Sequence, residues 1–443
     1  MKLLLIFFSL LIFSCSSDKD KKVDLEVFKK QGERINVFEV NNVFDKEIDS
    51  KSVLQFNQPL LNKKWSYEHF SSNNFYDHLI YEGKFLDIFK KSIGDYINKN
   101  NDSGSLLVFE NLVFFSDEKG KIYKFDINSQ KVIWELKIYE STYNDYPKNI
   151  ALFLNGEVLF AADNLGFVYS IDTLSGKTIW QQNYGIPFSS HLNFHKGILY
   201  VVNQNSRLYA FNPSDGQKIW SFESLSGLIK PSRSSNISLH ENKLLFSNDV
   251  GDITAIDLDQ QVITWTKNIL SQNSISNNLV FKISNILIDK KDVFVSSNSG
   301  DLFNLNLETG ETKWSQKLSS IQNHISTDKY LFVLTENAYV VAFNKLNGSI
   351  LWSVNLNKHS KSIIDGSNVG IFSTPITNNY FGLLLGSGHL YVTSTSGHIY
   401  KISAVEGKFI SSKRINSELS RAPIIVDNKI LILNRSSELI IIN

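Results

Sequence analysis

The sequence predicts an all-β fold: an eight-bladed β-propeller of four-stranded blades, closed by an N-terminal strand. Three observations carry this reading. A hairpin frame recurs along the chain, a Trp ends it at a fixed distance, and an apolar strand pair precedes each copy. The clearest copy is residues 166–180, G-F-V-Y-S-I-D-T-L-S-G-K-T-I-W. Residues 167–171 are β-prone. In the turn, Asp172 bonds its own backbone and Gly176 tolerates positive φ. Residues 177–180 begin the return strand.

The frame starts at Gly120, Gly166, Ser206, Gly251, Gly300 and Ala338, and fourteen residues later each reaches Trp134, Trp180, Trp220, Trp265, Trp314 or Trp352. A seventh copy starts at Gly397 and has Ser411 at the Trp position; an eighth starts at Ser437 and the chain ends inside it. Short loops such as Asn155-Gly156 and Asp427-Asn428 join the apolar pair ahead of each frame. Starts lie 38 to 59 residues apart. Four strands per period of about 40–50 residues is a propeller signature.

The remaining Trp, Trp65, precedes the first full copy and has the look of the return strand missing from the eighth. Residues 53–65 are therefore expected to close the last blade, since an open ring exposes unpaired edges. Packing between neighbouring sheets is the expected role of Trp65, Trp134, Trp180, Trp220, Trp265, Trp314 and Trp352. A ligand-stacking role for any one of them is the weaker reading.

From the N-terminus, the expected organisation is a lipoprotein signal peptide over 1–14, a flexible tether over 15–52 and the propeller over 53–443. Met1-Lys2 leads into an apolar run over 3–13 that is too short to span a bilayer. Ile12-Phe13-Ser14 then ends the leader just ahead of Cys15, the only cysteine of the chain. Its place makes it the candidate lipidation site; the plainer alternative is an ordinary leader with an incidental Cys. Residues 16–30 are polar and mixed in charge, as a tether is. Residues 67–104 read as a long connection with a short helix at 85–91.

Composition excludes several classes. The net charge is +1, and loss of Lys2 with the leader leaves 44 basic and 44 acidic residues, so nucleic acid has no electrostatic footprint here. One cysteine excludes a disulfide framework. No nucleophile motif, phosphate-cradling glycine loop or spaced ligand set is found, so no catalytic, cofactor or metal residue is assigned. The turn aspartates Asp126, Asp172 and Asp257 are replaced by Asn212, Asn306 and Asn344 in other copies. That exchange fits turn hydrogen bonding and not acid–base work.

The crossings between blades vary in length, and in a four-stranded blade they share one face with the second-to-third strand loops. A rigid scaffold with variable loops on one face is a binding arrangement. Residues 225–233, L-S-G-L-I-K-P-S-R, combine apolar side chains with Arg, a common interface mix. Leu228, Ile229 and Arg233 are the candidate partner-binding residues; a partly buried loop is the plainer reading.

The repeat G-x-φ-Y-x-φ-D-x-x-x-G-x-x-x-W resembles the pyrroloquinoline-quinone-type propeller repeat, which two families carry: quinoprotein dehydrogenases and the BamB-type lipoproteins of the outer-membrane β-barrel assembly machinery. The lipobox at Cys15, Gly32-Glu33-Arg34-Ile35-Asn36-Val37 and Pro59-Leu60-Leu61-Asn62-Lys63-Lys64-Trp65 resemble the second family in its alphaproteobacterial style. Arg421-Ala422-Pro423-Ile424-Ile425-Val426 with Glu438-Leu439-Ile440 is similar too. The resemblance spans about 32–443. It implies a non-catalytic scaffold without cofactor, lipid-anchored at the periplasmic face of the outer membrane. It also implies docking to the periplasmic domains of the central barrel-assembly subunit, with outer-membrane protein clients possible. The alternatives are a periplasmic quinoprotein-like oxidoreductase or another propeller binding protein. The dehydrogenases typically carry adjacent cysteines beside the quinone, and one Cys cannot supply them.

Overall fold

A computed structural model describes residues 44–443, apart from 86, 96–104, 144–145, 229–234, 271–279, 365–377 and 435. The expected signal peptide, Cys15 and most of the expected tether thus lie outside the described residues. The described chain forms eight antiparallel sheets in a ring. In blade 2 the strands run from axis to rim as Ile150–Asn155, Val158–Asp163, Phe167–Asp172 and Thr178–Asn183. Blades 1 and 3–7 repeat this order, and the first strands of neighbouring blades approach one another around the axis.

Burial explains the sequence pattern. The third strand of blade 2 is buried on both faces between neighbouring sheets, so it is nearly continuously apolar. The outer strand T-I-W-Q-Q-N alternates exposed and half-buried positions instead, because it is the rim. The residue before each Trp position, as at Ile133, Ile179, Ile219 and Ile410, has no partner in the ladder. Each outer strand of blades 1–7 therefore carries a bulge there. Such a bulge re-aims the side chain that follows it.

The closing strand differs from the sequence expectation. Blade 8 comprises Ile424–Val426, Lys429–Leu433 and Glu438–Ile442, and its outer strand is Ile88–Ser92. Ile88 pairs with Ile442, Lys90 with Ile440 and Ser92 with Glu438. This is an N-terminal strand, but not the one around Trp65, and it occupies the stretch expected to be a short helix. The pattern I-F-K-K-S is too short to distinguish the two by periodicity; pairing with the open C-terminal edge decides it. Trp65 belongs instead to Lys64–Trp65, which adds to the axial edge of blade 1, Trp65 opposite Val108.

Residues 44–48, part of the expected tether, are bonded along the outer strand of blade 6. Ile48 and Ser353 exchange backbone hydrogen bonds, Tyr339 donates its hydroxyl to Asp45 O at 2.8 Å, and Glu47 pairs with Lys358. The chain then crosses to the axis and winds around it. Asn62 O accepts from Asp427 N of blade 8 at 2.7 Å, Lys63 O from Glu110 N of blade 1 at 2.8 Å, and Ser66 O from Leu154 N of blade 2 at 2.9 Å. Ser72 O accepts from Asn193 Nδ2 of blade 3 and Leu239 N of blade 4, and Asn73 O from Ile288 N of blade 5. Asn323, just ahead of the first strand of blade 6, donates to Tyr76 Oη, and Leu79 N donates to Leu385 O of blade 7. Leu60 N finally donates to His78 O at 2.8 Å and Ile80 N to Leu60 O at 2.9 Å, so the circuit closes on itself.

Replacing residues 88–92 with a Gly/Ser run of equal length should strip the rim of blade 8 and expose the apolar edge Glu438–Ile442. The expected result is a shift from monomer to aggregate in size-exclusion chromatography, with a clear drop in melting temperature. A monomeric variant that melts like the parent would refute closure by this strand.

Candidate functional site

The frame Trp residues make a directional contact from each blade to the next. Trp134 Nε1 of blade 1 donates to Thr173 O in the outer turn of blade 2 at 2.9 Å. Trp180, Trp265 and Trp314 donate likewise to Pro213 O, Leu307 O and Lys345 O of the following blade, at 2.8–2.9 Å. The turn glycine lies against the ring. A Cβ built on Gly176, Gly310, Gly348 or Gly407 would stand 2.5–2.7 Å from Trp134, Trp265, Trp314 or Trp352. Trp352 is fully buried but its Nε1 has no hydrogen-bond partner. Trp220 packs in a cluster with Leu258 of blade 4, whose turn has Gln261 in place of glycine. Trp65 has different surroundings: it is buried at the axis, edge-on to Phe70 at 4.9 Å, with Nε1 donating to Glu68 O.

The loop-bearing face forms from a second recurring bond. The residue that follows each outer strand, or the next one along, donates its amide to the first residue of the frame. The pairs are Tyr184 to Gly166, Ser224 to Ser206, Ile269 to Gly251, Leu318 to Gly300, Leu356 to Ala338 and Ile415 to Gly397, at 2.7–3.1 Å. Each crossing is thus pinned beside the second-to-third strand loop of its own blade. Between blades 1 and 2 the pinning is aromatic: Tyr139 donates to Asp163, and buried Lys148 lies 5.4 Å above the Tyr139 ring. Burial pushes the Asp163 carboxyl up from its ordinary value, opposed by the Tyr139 hydroxyl and the Phe167 amide.

The crossing from blade 3 to blade 4 is held twice. Asn248 Nδ2 donates to Ser224 Oγ at 3.1 Å, and Gly227 N donates to Asp249 Oδ1 at 2.8 Å. Beyond that anchor Leu228 stands fully exposed, and Leu225 is 72% exposed. Leu228 is therefore not buried beneath the loop. Ile229 and Arg233 lie outside the described residues.

Among the described residues no group of three or more His, Cys, Asp or Glu could hold a metal ion. Among the histidines, His69 and His191 meet edge-on with ring centroids 4.8 Å apart. Burial pushes His324 down to about 3, so it stays neutral, with Nε2 3.0 Å from Ser296 Oγ. His389 and His398 are likewise shifted down by burial, and each ring is held by a neighbouring serine. No described helix is long and apolar enough to cross a membrane.

A closed ring of eight four-stranded blades, with the chain's own residues 62–79 wound around its axis and pinned loops on one face, defines a β-propeller. The family described as outer membrane protein assembly factor BamB matches residues 118–354 and 336–443, and the chain belongs to that family. The assembly factor BamB of Yersinia pestis is 22% identical over 334 residues, 73% of this chain and 80% of that protein. The crystal structure of BamB from Moraxella catarrhalis superimposes with a TM-score of 0.62 at 14% identity, covering 80% of this chain and 99% of that one. The quinohemoprotein alcohol dehydrogenase of Comamonas testosteroni gives 0.63 at 10% identity, covering 86% of this chain and 80% of that one, which shows the shared fold alone. Trp65, Phe70 and Tyr76 pack together in the axial circuit, and adjacent cysteines are impossible with one Cys.

The Trp–Gly contact has a built-in control. Gly310 (φ +70) has no room for a Cβ, whereas Gly156 (φ +60) has nothing within 4 Å. Gly156→Ala should cost about 1 kcal/mol from backbone conformation alone. Gly310→Ala should cost about 2–4 kcal/mol, because the Trp265 ring must also move. Denaturant unfolding of the two variants measures the difference; equal losses would show that the ring contact contributes nothing.

Proposed function

We propose that this protein is a non-catalytic, periplasmic scaffold lipoprotein that assists folding and insertion of outer-membrane proteins. It does so by docking to the periplasmic domains of the central β-barrel assembly subunit. The observation that carries this reading is the family match across the repeats. The loop-bearing face supports it. A rigid ring holds the crossing at Ser224 and Gly227 while Leu225 and Leu228 stay in water, an arrangement that leaves apolar side chains free for a partner. Ile229 and Arg233 follow directly in sequence and complete the proposed contact. Cys15 carries the lipid that holds the body at the outer membrane, and Ser16 after it favours that destination over the inner membrane.

Truncating Leu228, Ile229 and Arg233 together to Ala should weaken binding of the central subunit roughly thirtyfold or more, the effect of losing even one hot-spot residue. The melting temperature should hold, since Leu228 makes no buried contact to lose. Co-purification from detergent-solubilised outer membrane, read beside the melting curve, checks both. Normal co-purification at an unchanged melting temperature would exclude this loop.

For the anchor, Cys15→Ser should move the protein from the membrane to the soluble fraction. Stable anchoring needs more than one acyl chain, so loss of the acylated cysteine removes all of it. Unchanged fractionation would rule out lipid attachment at this residue.

A further inference from the structure

The axial circuit has the chemistry of a bound peptide. In chain order, residues 62–79 meet blades 8, 1, 2, 3, 4, 5, 6 and 7, one circuit of the ring without omission. Blades 3 and 6 contribute the side-chain amides of Asn193 and Asn323, and the other blades contribute backbone groups that a bare ring would leave unpaired. Donors come from the first strands or their turns at Glu110, Leu154, Leu239, Ile288 and Asp427. Acceptors are Ile237 O and Ile286 O, which both receive from Asn74 Nδ2, together with Ile288 O and Ile425 O. Unpaired buried backbone groups are costly, so the ring selects an occupant that satisfies them.

The occupant is shaped for this place. Its residues Ser71-Ser72-Asn73-Asn74 are short polar side chains that bond backbone groups readily. Phe70 sits at φ +69, a conformation rare for a bulky residue, and Asn74 at φ +54. Strain of that kind persists where surroundings over-determine it. Here Phe70 stacks on Tyr76 and meets Trp65 edge-on. The circuit closes upon itself through Leu60, His78 and Ile80, which gives it a shape of its own beyond the blade contacts.

We infer that the first strands of the eight blades form an axial peptide-binding site, and that residues 60–80 are its resident ligand, held non-covalently and separable from the ring. The ligand class is a looped segment of serine, asparagine and aromatic residues. While residues 60–80 hold these backbone groups, no second peptide can pair with them.

The test uses the full chain with recognition sequences for a specific protease inserted between Lys51 and Val53, which are exposed, and between Glu82 and Lys84, where both side chains are exposed and Gly83 between them is half-buried. The first cut frees the segment from the clasp at residues 44–48, and the second frees it from the closing strand. After both cuts the released piece should co-elute with the folded body in gel filtration and leave only in denaturant. A labelled synthetic peptide covering the same residues should exchange into the cut protein. Asn74→Leu, which removes two bonds to blades 4 and 5, should weaken retention by roughly tenfold to a hundredfold. Amides of Leu154, Leu239 and Ile288 should exchange with deuterium slowly while the piece is bound and fast once it leaves. Loss of the piece at once from a body that keeps its melting temperature would overturn the inference. So would unfolding of the body on cutting, because the segment would then not be separable.

Discussion

The structure depends on one backbone pairing between distant parts of the chain. Ile88–Ser92 zips onto Glu438–Ile442, and no covalent bond does that work. Without it blade 8 lacks a rim, and the faces of blades 8 and 1 lose their alignment. The junction is reinforced on the loop-bearing side. Ile93 N donates to Ser437 O, and Asp117 of blade 1 receives both Asp95 N and the Tyr123 hydroxyl. Burial pushes the Asp117 carboxyl up, and those hydrogen bonds oppose the shift. The two ends of the propeller thus meet in a polar contact and an apolar ladder at once.

Closure also explains why the repeat decays at its seam. Each frame Trp rests on the outer turn of the following blade. Blade 8 has no such turn, because its third and outer strands come from opposite ends of the chain. Blade 7 accordingly has Ser411 where the others have Trp, paired with Lys401. The turn of blade 1 faces blade 8, whose outer strand I-F-K-K-S holds no Trp, and there Gln130 stands in place of glycine at φ +56. Trp and Gly are two halves of one contact, and both disappear where the geometry removes the need. The pair between blades 3 and 4 departs from this, with Gln261 opposite Trp220, and nothing in the structure explains it.

The two faces of the ring are built differently. On the side of the first turns, the chain's own residues 60–80 occupy the axis and take up the free backbone groups. On the other side each crossing is bonded to the loop beside it, so variable segments begin from fixed points. Leu228 projects from one of these points with its backbone neighbour Gly227 tied to Asp249. Side chains there are presented on a frame that has already lost its conformational freedom, which would lower the entropy cost of the proposed docking.

The ring, its blade number and the turn chemistry were legible in the sequence. Strand alternation, Asp-to-Gly turns and the fixed Trp interval are local properties, set by residues within fifteen positions of each other. The bulge before each Trp was not, because it shows only in the register between two strands. Nor was the identity of the closing strand. Trp65 mimics a repeat Trp, and I-F-K-K-S lacks the mark of an outer strand, so spacing favoured the wrong segment; only the geometry of the open edge selects between them. The axial circuit left fainter traces still. Ser72, Asn73 and Asn74 look like loop residues, because their partners lie on strands more than a hundred residues away. Short-range patterning determined the blades of this protein; the closing of a ring, which brings the two ends together, decided what its N-terminal segment became.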